Sequence, residues 1–360
     1  MSKEKTCKRQ EKGGSMSETK KNYEEIMNEI TSGLTGDSET DLKYLKETAE
    51  KYAGHELGKE ITRAIGRLIF TMLDEEATEK ISAEMEKATA QVQKDLDEVH
   101  FNMFKKNFDR ALELMEKLIH KVESQNFYTD DEVSEYRFFD EFFEELLYRH
   151  LYETDREIRR PSINYPELYL TYGSLLVEHD RCREAREVLE KGLHFNPVNF
   201  HLFMERCETF KMQGFIEEFF ECTKEAFRIA YTPAYAARCW RNLGYYFVEK
   251  KLWDEATACY IMSLQFENES KQAQSELYYI QMKAGREIKK PTVEQMEEYR
   301  EKYDLPYGAD SDVISLAYTY GRMGLEENRP DIASYFLKIA YDLTYSSEIK
   351  ELLDKASSLS

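Results

Sequence analysis

The sequence predicts an all-α fold in which helical hairpins stack into an α-solenoid behind an N-terminal helical region. Glycine and proline number only 15 and 7 in 360 residues, about half of the roughly 12% share in an average protein. Turns are therefore few and the elements long. Apolar residues recur every three or four positions, as on the buried side of a helix. In the second half of the chain, one spacing of glycine and alanine returns several times.

The composition is that of a folded chain with a strong negative charge. Hydrophobic residues make up 41% and aromatic residues 13%, which is enough apolar area to offset the entropy of ordering. The formal net charge is -20. Because affinity for nucleic acids comes largely from Lys and Arg that displace counterions, we expect no nucleic acid among the partners.

Membrane and secretory signals are missing from the sequence pattern. No apolar run approaches the roughly 18 residues that a membrane span requires, and no apolar segment follows the first lysines. We therefore expect a cytoplasmic protein with no membrane partner. The cysteines contain no C-x-x-C pair, which predicts buried thiols in a reducing compartment. They are Cys7, Cys182, Cys207, Cys222, Cys239 and Cys259.

Charge and periodicity divide the chain into three parts. Residues 1–21 carry seven Lys or Arg against three Glu and predict a disordered basic tail. Residues 22–160 predict successive helices that either continue a repeat array or cap it. The strongest of these runs from Asp130 to Tyr152, where aromatic residues recur at helical spacing. Residues 161–360 predict the repeat array itself.

Two segments share one pattern in the same register. An aromatic residue precedes a glycine by four positions, an alanine follows the glycine after twelve, and a large residue follows after sixteen. The small residues would let the two helices of a hairpin approach closely, while the large ones fill the gap to the next hairpin. The residues are Trp240, Leu243, Gly244, Phe247, Ala256 and Tyr260 in one unit and Tyr169, Gly173, Leu176, Ala185, Leu189, Gly192 and Pro197 in the other.

This pattern resembles the tetratricopeptide repeat (TPR), in a protein similar to those of bacteria. The resemblance implies a right-handed α-solenoid. In the second unit, Cys207 and Phe219 stand where glycine and alanine are usual, whereas Gly321 and Ala333 fit the pattern in the last unit. The predicted units lie near residues 166–199, 200–236, 237–270, 271–308 and 314–347.

Motifs of enzymes and metal sites are incomplete. Residues 54–60 are one residue short of a phosphate-binding loop and have Glu60 where a magnesium-binding Ser or Thr belongs. Asp37 and Asp41 have the spacing of calcium ligands, but the turn glycine and closing glutamate are missing. A helix start capped by Ser38 is the simpler interpretation. We expect no enzymatic activity, no metal and no cofactor.

In TPR proteins the first helix of each unit lines a concave groove. The resemblance implies partner contacts at Glu167, Leu170, Ser174, Glu178, His201, Met204, Glu208, Lys211, Arg238, Arg241, Tyr245, Glu249, Tyr318 and Arg322. Some family members clamp a peptide's C-terminal carboxylate with Lys and Asn side chains. Arg238, Arg241 and Asn242 match part of that set, but Met204 and Glu208 do not, so we do not assign it. Ligand contact and pairing with neighbouring carboxylates both remain open for the two arginines.

The resemblance and the incomplete catalytic motifs together favour a non-enzymatic adapter or scaffold that binds another protein or peptide. A second hypothesis is a peptide-sensing cytosolic regulator, similar to bacterial receptors that join an N-terminal helical bundle to TPR units. A third is an enzyme whose chemistry lies in the N-terminal helical region. The sequence determines neither the partner nor the oligomeric state.

Overall fold

The computed structural model describes residues 13–125 and 128–359. Within them the protein is almost entirely helical, as the sequence predicts. Residues 1–12 of the predicted disordered tail lie outside the described residues. For residues 13–21 the prediction of disorder is wrong, because they belong to the first helix, which Ile30 anchors in the core with 2% exposure.

The chain divides into two compact units. Of the described residues, those up to Arg137 form the first together with Thr154–Ile163, and Phe138–Glu153 form the second together with residues 164–359. The predicted boundary at residue 160 therefore differs from the observed one, since Phe138–Glu153 belongs with the repeats.

The first unit is built mainly from amphipathic helices around a small aliphatic core. Leu45, Ile61 and Ile65 are fully or almost fully buried in this core together with Ile30. Asp37 caps the second helix by accepting a hydrogen bond from Thr40 N at 2.9 Å. The elements are α1 (Gly13–Ser32), α2 (Ser38–Tyr52), α3 (Gly58–Met72), α4 (Glu75–Phe104), α5 (Phe108–Gln125), β1 (Ser134–Tyr136) and β2 (Glu157–Arg159).

The aromatic segment predicted as a helix over Asp130–Tyr152 is helical only in α6 (Phe142–Tyr152). Before α6, β1 pairs in parallel with β2. The Asp130 and Asp131 carboxylates accept hydrogen bonds from the amides of Tyr136 and Ser134, at 2.8 and 2.7 Å. Such local side-chain acceptors compete with helical hydrogen bonding, so the helix prediction is wrong before Phe142.

After its first helix, the second unit contains five successive two-helix segments and a final helix. These segments coincide with the predicted repeat units, so the prediction of an all-α solenoid of TPR-like hairpins is confirmed. In the fourth segment, however, the two helices do not pack on each other; the second of them contacts the third segment, where the ring of Tyr303 lies 4.8 Å from that of Phe247. The helices are α7 (Tyr165–Glu178), α8 (Cys182–Phe195), α9 (Phe200–Met212), α10 (Ile216–Ala226), α11 (Pro233–Glu249), α12 (Trp253–Phe266), α13 (Lys271–Ala284), α14 (Val293–Tyr303), α15 (Ser311–Glu326), α16 (Pro330–Thr344) and α17 (Ser347–Leu359).

The glycines of the repeat pattern lie where the two helices of a hairpin touch. A Cβ atom on Gly173 would lie 2.5 Å from Leu189 Cδ2, and one on Gly244 would lie 2.7 Å from Tyr260 Cε2. The fifth hairpin has the same contact between Gly321 and the leucine sixteen residues later. Only glycine permits this separation, which confirms the register of the pattern. The alanines of the pattern are fully buried: Ala185, Ala256 and Ala333.

The second hairpin has a covalent bond at this position. Cys207, which stands where glycine is usual, forms a disulfide with Cys222 of α10. The hairpin places their Cα atoms 5.7 Å apart, within the range that a disulfide spans. The prediction of free thiols is therefore wrong for Cys207 and Cys222. These two cysteines no longer support the prediction of a reducing compartment. The free buried cysteines are Cys182, Cys239 and Cys259; Cys7 lies outside the described residues.

Helix α6 connects early and late hairpins of the second unit. The buried carboxylate of Glu144 accepts hydrogen bonds from Asn196 Nδ2 at 2.9 Å and from Tyr231 Oη at 3.2 Å. The ring of Phe143 lies 5.3 Å from that of Tyr231 and 6.2 Å from that of Phe336 in α16. Burial raises the pKa of Glu144, and the Asn196 hydrogen bond opposes this shift.

Two substitutions test the packing of the third hairpin. Trp240→Ala should lower the free energy of unfolding by about 3–5 kcal/mol, because the fully buried indole leaves a cavity. Ala256→Leu should lower it by about 1–3 kcal/mol, because the added methyl groups overpack the interface. Ala234→Leu, at an exposed position of α11, is the control and should change it by less than about 0.5 kcal/mol. Denaturant titration measures all three; no effect of the first two would refute this packing.

Reduction of the Cys207–Cys222 disulfide should destabilise the protein by about 3 kcal/mol, since the bond closes a loop with a sequence separation of 15 residues. Thermal unfolding with and without a reducing agent measures the effect. The double variant Cys207→Ser/Cys222→Ser should melt like the reduced protein and no longer respond to the reducing agent. Equal melting temperatures of the unmodified protein under both conditions would contradict this expectation.

Candidate functional site

Most of the predicted partner-binding residues lie on α7, α9 and α11, the first helices of three successive hairpins. Contacts link each helix to the next: Ser174 hydrogen-bonds to Glu205, and the Lys211 ammonium lies over the ring of Tyr245. Stacked hairpins place equivalent helices side by side in this way. We define the first-helix face by Ser174, Glu178, Glu205, Glu208, Lys211, Arg238, Tyr245 and Glu249.

Met204 is not available to a partner, although its position predicts a contact. Its side chain is fully buried, and its Sδ accepts a hydrogen bond from Asn242 Nδ2 at 3.4 Å. The prediction is wrong for this side chain because it packs toward the third hairpin. Leu170 packs against the core of the first two hairpins, Glu167 is partly buried, and His201 is exposed.

Tyr318 and Arg322 lie on α15 in the fifth hairpin. Tyr318 Oη donates to Glu348 Oε1 at 3.5 Å, and Arg322 pairs with Glu326 at 3.1 Å. These contacts involve α15 and α17 and do not join the two residues to the first-helix face. A partner would have to extend along the repeats to contact both the first-helix face and the pair Tyr318 and Arg322.

Glu205 is a member of the first-helix face that the sequence prediction missed. Burial raises the pKa of its carboxyl, and the negative charges of Glu208 and Glu178 raise it further. The positive charge of Arg238 and the Ser174 hydroxyl oppose this shift. Its spacing offered a signal, since Glu205 and Glu208 lie three residues apart and so share one side of α9.

Tyr245 lies at the centre of the face and is half-buried. Its ring and that of Phe219 are in edge-to-face contact, with their centroids 5.8 Å apart. Lys211 Nζ lies 4.8 Å from the Tyr245 centroid and 2.5 Å from Glu208 Oε1. Burial raises the pKa of the Tyr245 hydroxyl, as do the negative charges of Glu249 and Glu208.

The two arginines of α11 differ in their surroundings. Arg241 pairs with Glu267 at 2.6 Å, so pairing with a carboxylate describes this residue. Arg238 acts electrostatically on both Glu205 and His201. Partial desolvation of the His201 ring lowers its pKa, and Arg238 lowers it further. The ring shares a hydrogen bond with Tyr235 Oη at 3.1 Å.

Acidic groups outnumber basic ones on the first-helix face. The carboxylates are Glu178, Glu205, Glu208 and Glu249, and the cations are Lys211 and Arg238. Glu276 of α13 adds a further negative charge close enough to raise the pKa of Tyr245. The face is therefore acidic with an aromatic centre, which is the opposite polarity to a carboxylate clamp.

Two cavities lie away from this face. One of about 360 Å³ in the first unit is lined by α4, α5, Tyr128, Ser162 and Ile163. One of about 300 Å³ in the second unit is lined by α12 and α14 with Pro291, Thr292 and Tyr307. In the described part of the chain, no group of three or more His, Cys, Asp or Glu could hold a metal ion.

Comparison with known proteins yields structural likeness without a sequence match. No protein-family model matches the chain, and no curated protein matches it. Similar solved structures share 13–14% identity with it. Pseudomonas aeruginosa pilF has a TM-score of 0.38, and the match covers 75% of this chain and 97% of that chain. The P58(IPK) TPR domain has a TM-score of 0.29, with 90% of this chain and 84% of that chain covered. The human IFIT1 dimer with m7Gppp-AAAA has a TM-score of 0.27, with 90% of this chain and 76% of that chain covered.

The TPR-like assignment itself follows from the helical hairpins and their glycine contacts, because the TM-scores of these structures are low. The similarity to bacterial TPR proteins stays a prediction. Among the described helices, none combines the length and apolar character needed to cross a bilayer.

The exclusion of nucleic acid from the partners is corrected. Human IFIT1 dimer structures with m7Gppp-AAAA and with PPP-AAAA are among the similar structures. The exclusion used the net charge of -20, which sums over the whole chain. Phosphate binding depends instead on the local arrangement of Lys and Arg, so the sum does not exclude this class.

The raised pKa of Glu205 predicts a pH-dependent stability effect. A carboxyl with a raised pKa in the folded state favours folding at low pH, and this contribution is lost as the pH rises through the folded-state pKa. Glu205→Gln imitates the protonated form, so it should raise the melting temperature at pH 7, and the difference should vanish near pH 4. Glu218→Gln, on exposed α10 surface, is the control. A lowered melting temperature of Glu205→Gln at pH 7 would contradict the burial argument.

Proposed function

We propose that this protein is a non-enzymatic adapter or scaffold that holds another polypeptide on its first-helix face. The observation that carries the proposal is the convergence of Glu205, Lys211, Arg238 and Tyr245 from successive helices. These side chains are only partly buried, so they offer charged and aromatic contacts beyond what hairpin packing uses. Tyr and Arg are the residue types that most often dominate binding energy in protein interfaces.

The frame beneath the face supports this use. The Gly173–Leu189 and Gly244–Tyr260 contacts set the helix separation in the first and third hairpins, and the disulfide links the helices of the second. A face on rigid elements loses little conformational freedom when a partner binds, which favours affinity.

A peptide-sensing regulator is the second candidate, and α6 supports it. Glu144 and Phe143 contact the early hairpins, and Phe143 also contacts Phe336 of the fifth. A peptide with different affinities for two positions of α6 would shift the equilibrium between them. The adapter has no need of such a shift.

Site-specific photo-crosslinking tests the proposed function. A photoreactive amino acid at position 245 should crosslink specific polypeptides in a lysate of the source cells, and Arg238→Glu in the same chain should reduce their yield. The control places the photoreactive residue at Arg183, which is exposed on α8, outside the first-helix face. Identical adducts at both positions, or none at 245, would contradict binding at this face.

Small-angle scattering then separates the two candidates. Addition of a captured peptide should leave the scattering profile of an adapter unchanged apart from the added mass. A regulator should change its radius of gyration, and Glu144→Ala should alter that change because it removes the acceptor of the Asn196 and Tyr231 hydrogen bonds that attach α6.

A further inference from the structure

The ring of Tyr245 and the carboxylates around it form a small subsite on the first-helix face. The ring packs in edge-to-face contact with Phe219, and the negative charge of Glu249 lies close enough to act on its hydroxyl. Glu208 from α9 and Glu276 from α13 supply negative charge from the neighbouring helices. An aromatic face flanked by carboxylates attracts ammonium and guanidinium groups.

A cation of the protein itself already lies in this subsite. Lys211 Nζ lies 4.8 Å from the Tyr245 ring centroid, within the distance at which a cation is attracted to an aromatic face. It also lies 6.0 Å from the Phe219 centroid and pairs with Glu208. The position of this ammonium marks where a positive charge is stable on the face.

Lys211 can give way to another cation at small cost. Its side chain is 28% exposed, and a lysine has a flexible stem whose ammonium readily exchanges protein contacts for water. The Glu208–Lys211 pair is partly solvated, and pairs of this kind contribute little to stability. A ligand that delivers a cation would therefore compete with a weakly held group.

The remaining charges on the face favour the same kind of ligand. Glu178, Glu205, Glu208 and Glu249 exceed the cations in number, and Arg241 is engaged by Glu267. An acidic peptide would meet like charges across most of the face, whereas a basic one would meet opposite charges.

We propose that the bound polypeptide inserts a lysine or arginine side chain between the Tyr245 ring and the carboxylates of Glu208, Glu249 and Glu276, in the place that Lys211 occupies. This inference rests on the proposed function, since it names the partner of the same face. The partner is thus a basic segment of a polypeptide.

Selection from a phage-displayed library of random 12-residue peptides on the immobilised full-length chain tests the inference. The selected peptides should share a Lys or Arg at one position. Exchange of that residue for Met in the peptide should weaken binding by about 2- to 30-fold, the range of a cation over an aromatic ring. Fluorescence anisotropy of the labelled peptide measures the dissociation constant.

Variants of the protein locate the effect. Tyr245→Ala should weaken binding. In this variant the Lys-to-Met exchange in the peptide should not weaken binding any further, because the ring that contacts the cation has been removed. Tyr245→Phe retains the ring and should retain most of the affinity. Lys211→Met removes the resident competitor and should tighten binding. The control Glu218→Gln/Glu298→Gln removes two exposed carboxylates elsewhere and should leave the dissociation constant unchanged.

The outcomes distinguish this inference from the proposed function. If no peptide binds, both fail. If peptides bind but the Lys-to-Met exchange costs as much in Tyr245→Ala as in the unmodified chain, the face binds polypeptides and the cation subsite is wrong. Selection of Asp- or Glu-rich peptides would also overturn the inference and leave the proposed function standing. Melting temperatures of all variants show whether a lost affinity reflects lost folding.

Discussion

In three hairpins of the second unit, the two helices approach closely because one of them lacks a side chain at the point of contact. At Gly173 and Gly244 even a single Cβ atom would come within 2.7 Å of a side chain of the partner helix. The short separation lets Leu189 or Tyr260 cover the glycine and so excludes water from the hairpin interior. Because each hairpin packs mainly on its neighbours, the spacing within one pair sets the position of the next first helix, and with it the first-helix face.

The second hairpin reaches the same architecture without the glycine. Cys207 and Cys222 join α9 and α10 covalently, and Phe219 fills the position where alanine is usual and is fully buried. That ring also meets Tyr245 at the centre of the face. The departure from the repeat pattern therefore lies directly beneath the residues to which we assign binding, so packing and function are connected at this point of the array.

Helix α6 adds a constraint that a row of hairpins does not contain by itself. The buried carboxylate of Glu144 needs the hydrogen bonds from Asn196 and Tyr231 to offset its loss of water. These polar contacts fix α6 against the early hairpins, while Phe143 also contacts the fifth through Phe336. Buried polar groups of this kind specify one arrangement because an alternative would leave them without partners.

The sequence by itself determined most of the helical hairpins and their register, because the spacing of Gly244, Ala256 and Tyr260 expresses a contact inside one local unit. It also predicts most of the residues of the first-helix face, since a helical position points to a defined side of its helix. Only the tertiary structure decided that Met204 is buried, that Glu205 joins the face and that α6 belongs with the repeats. Each of these depends on groups distant in the sequence, whose proximity no local period encodes. The polarity of the first-helix face was decided in the same way, by carboxylates that three helices bring together around one tyrosine.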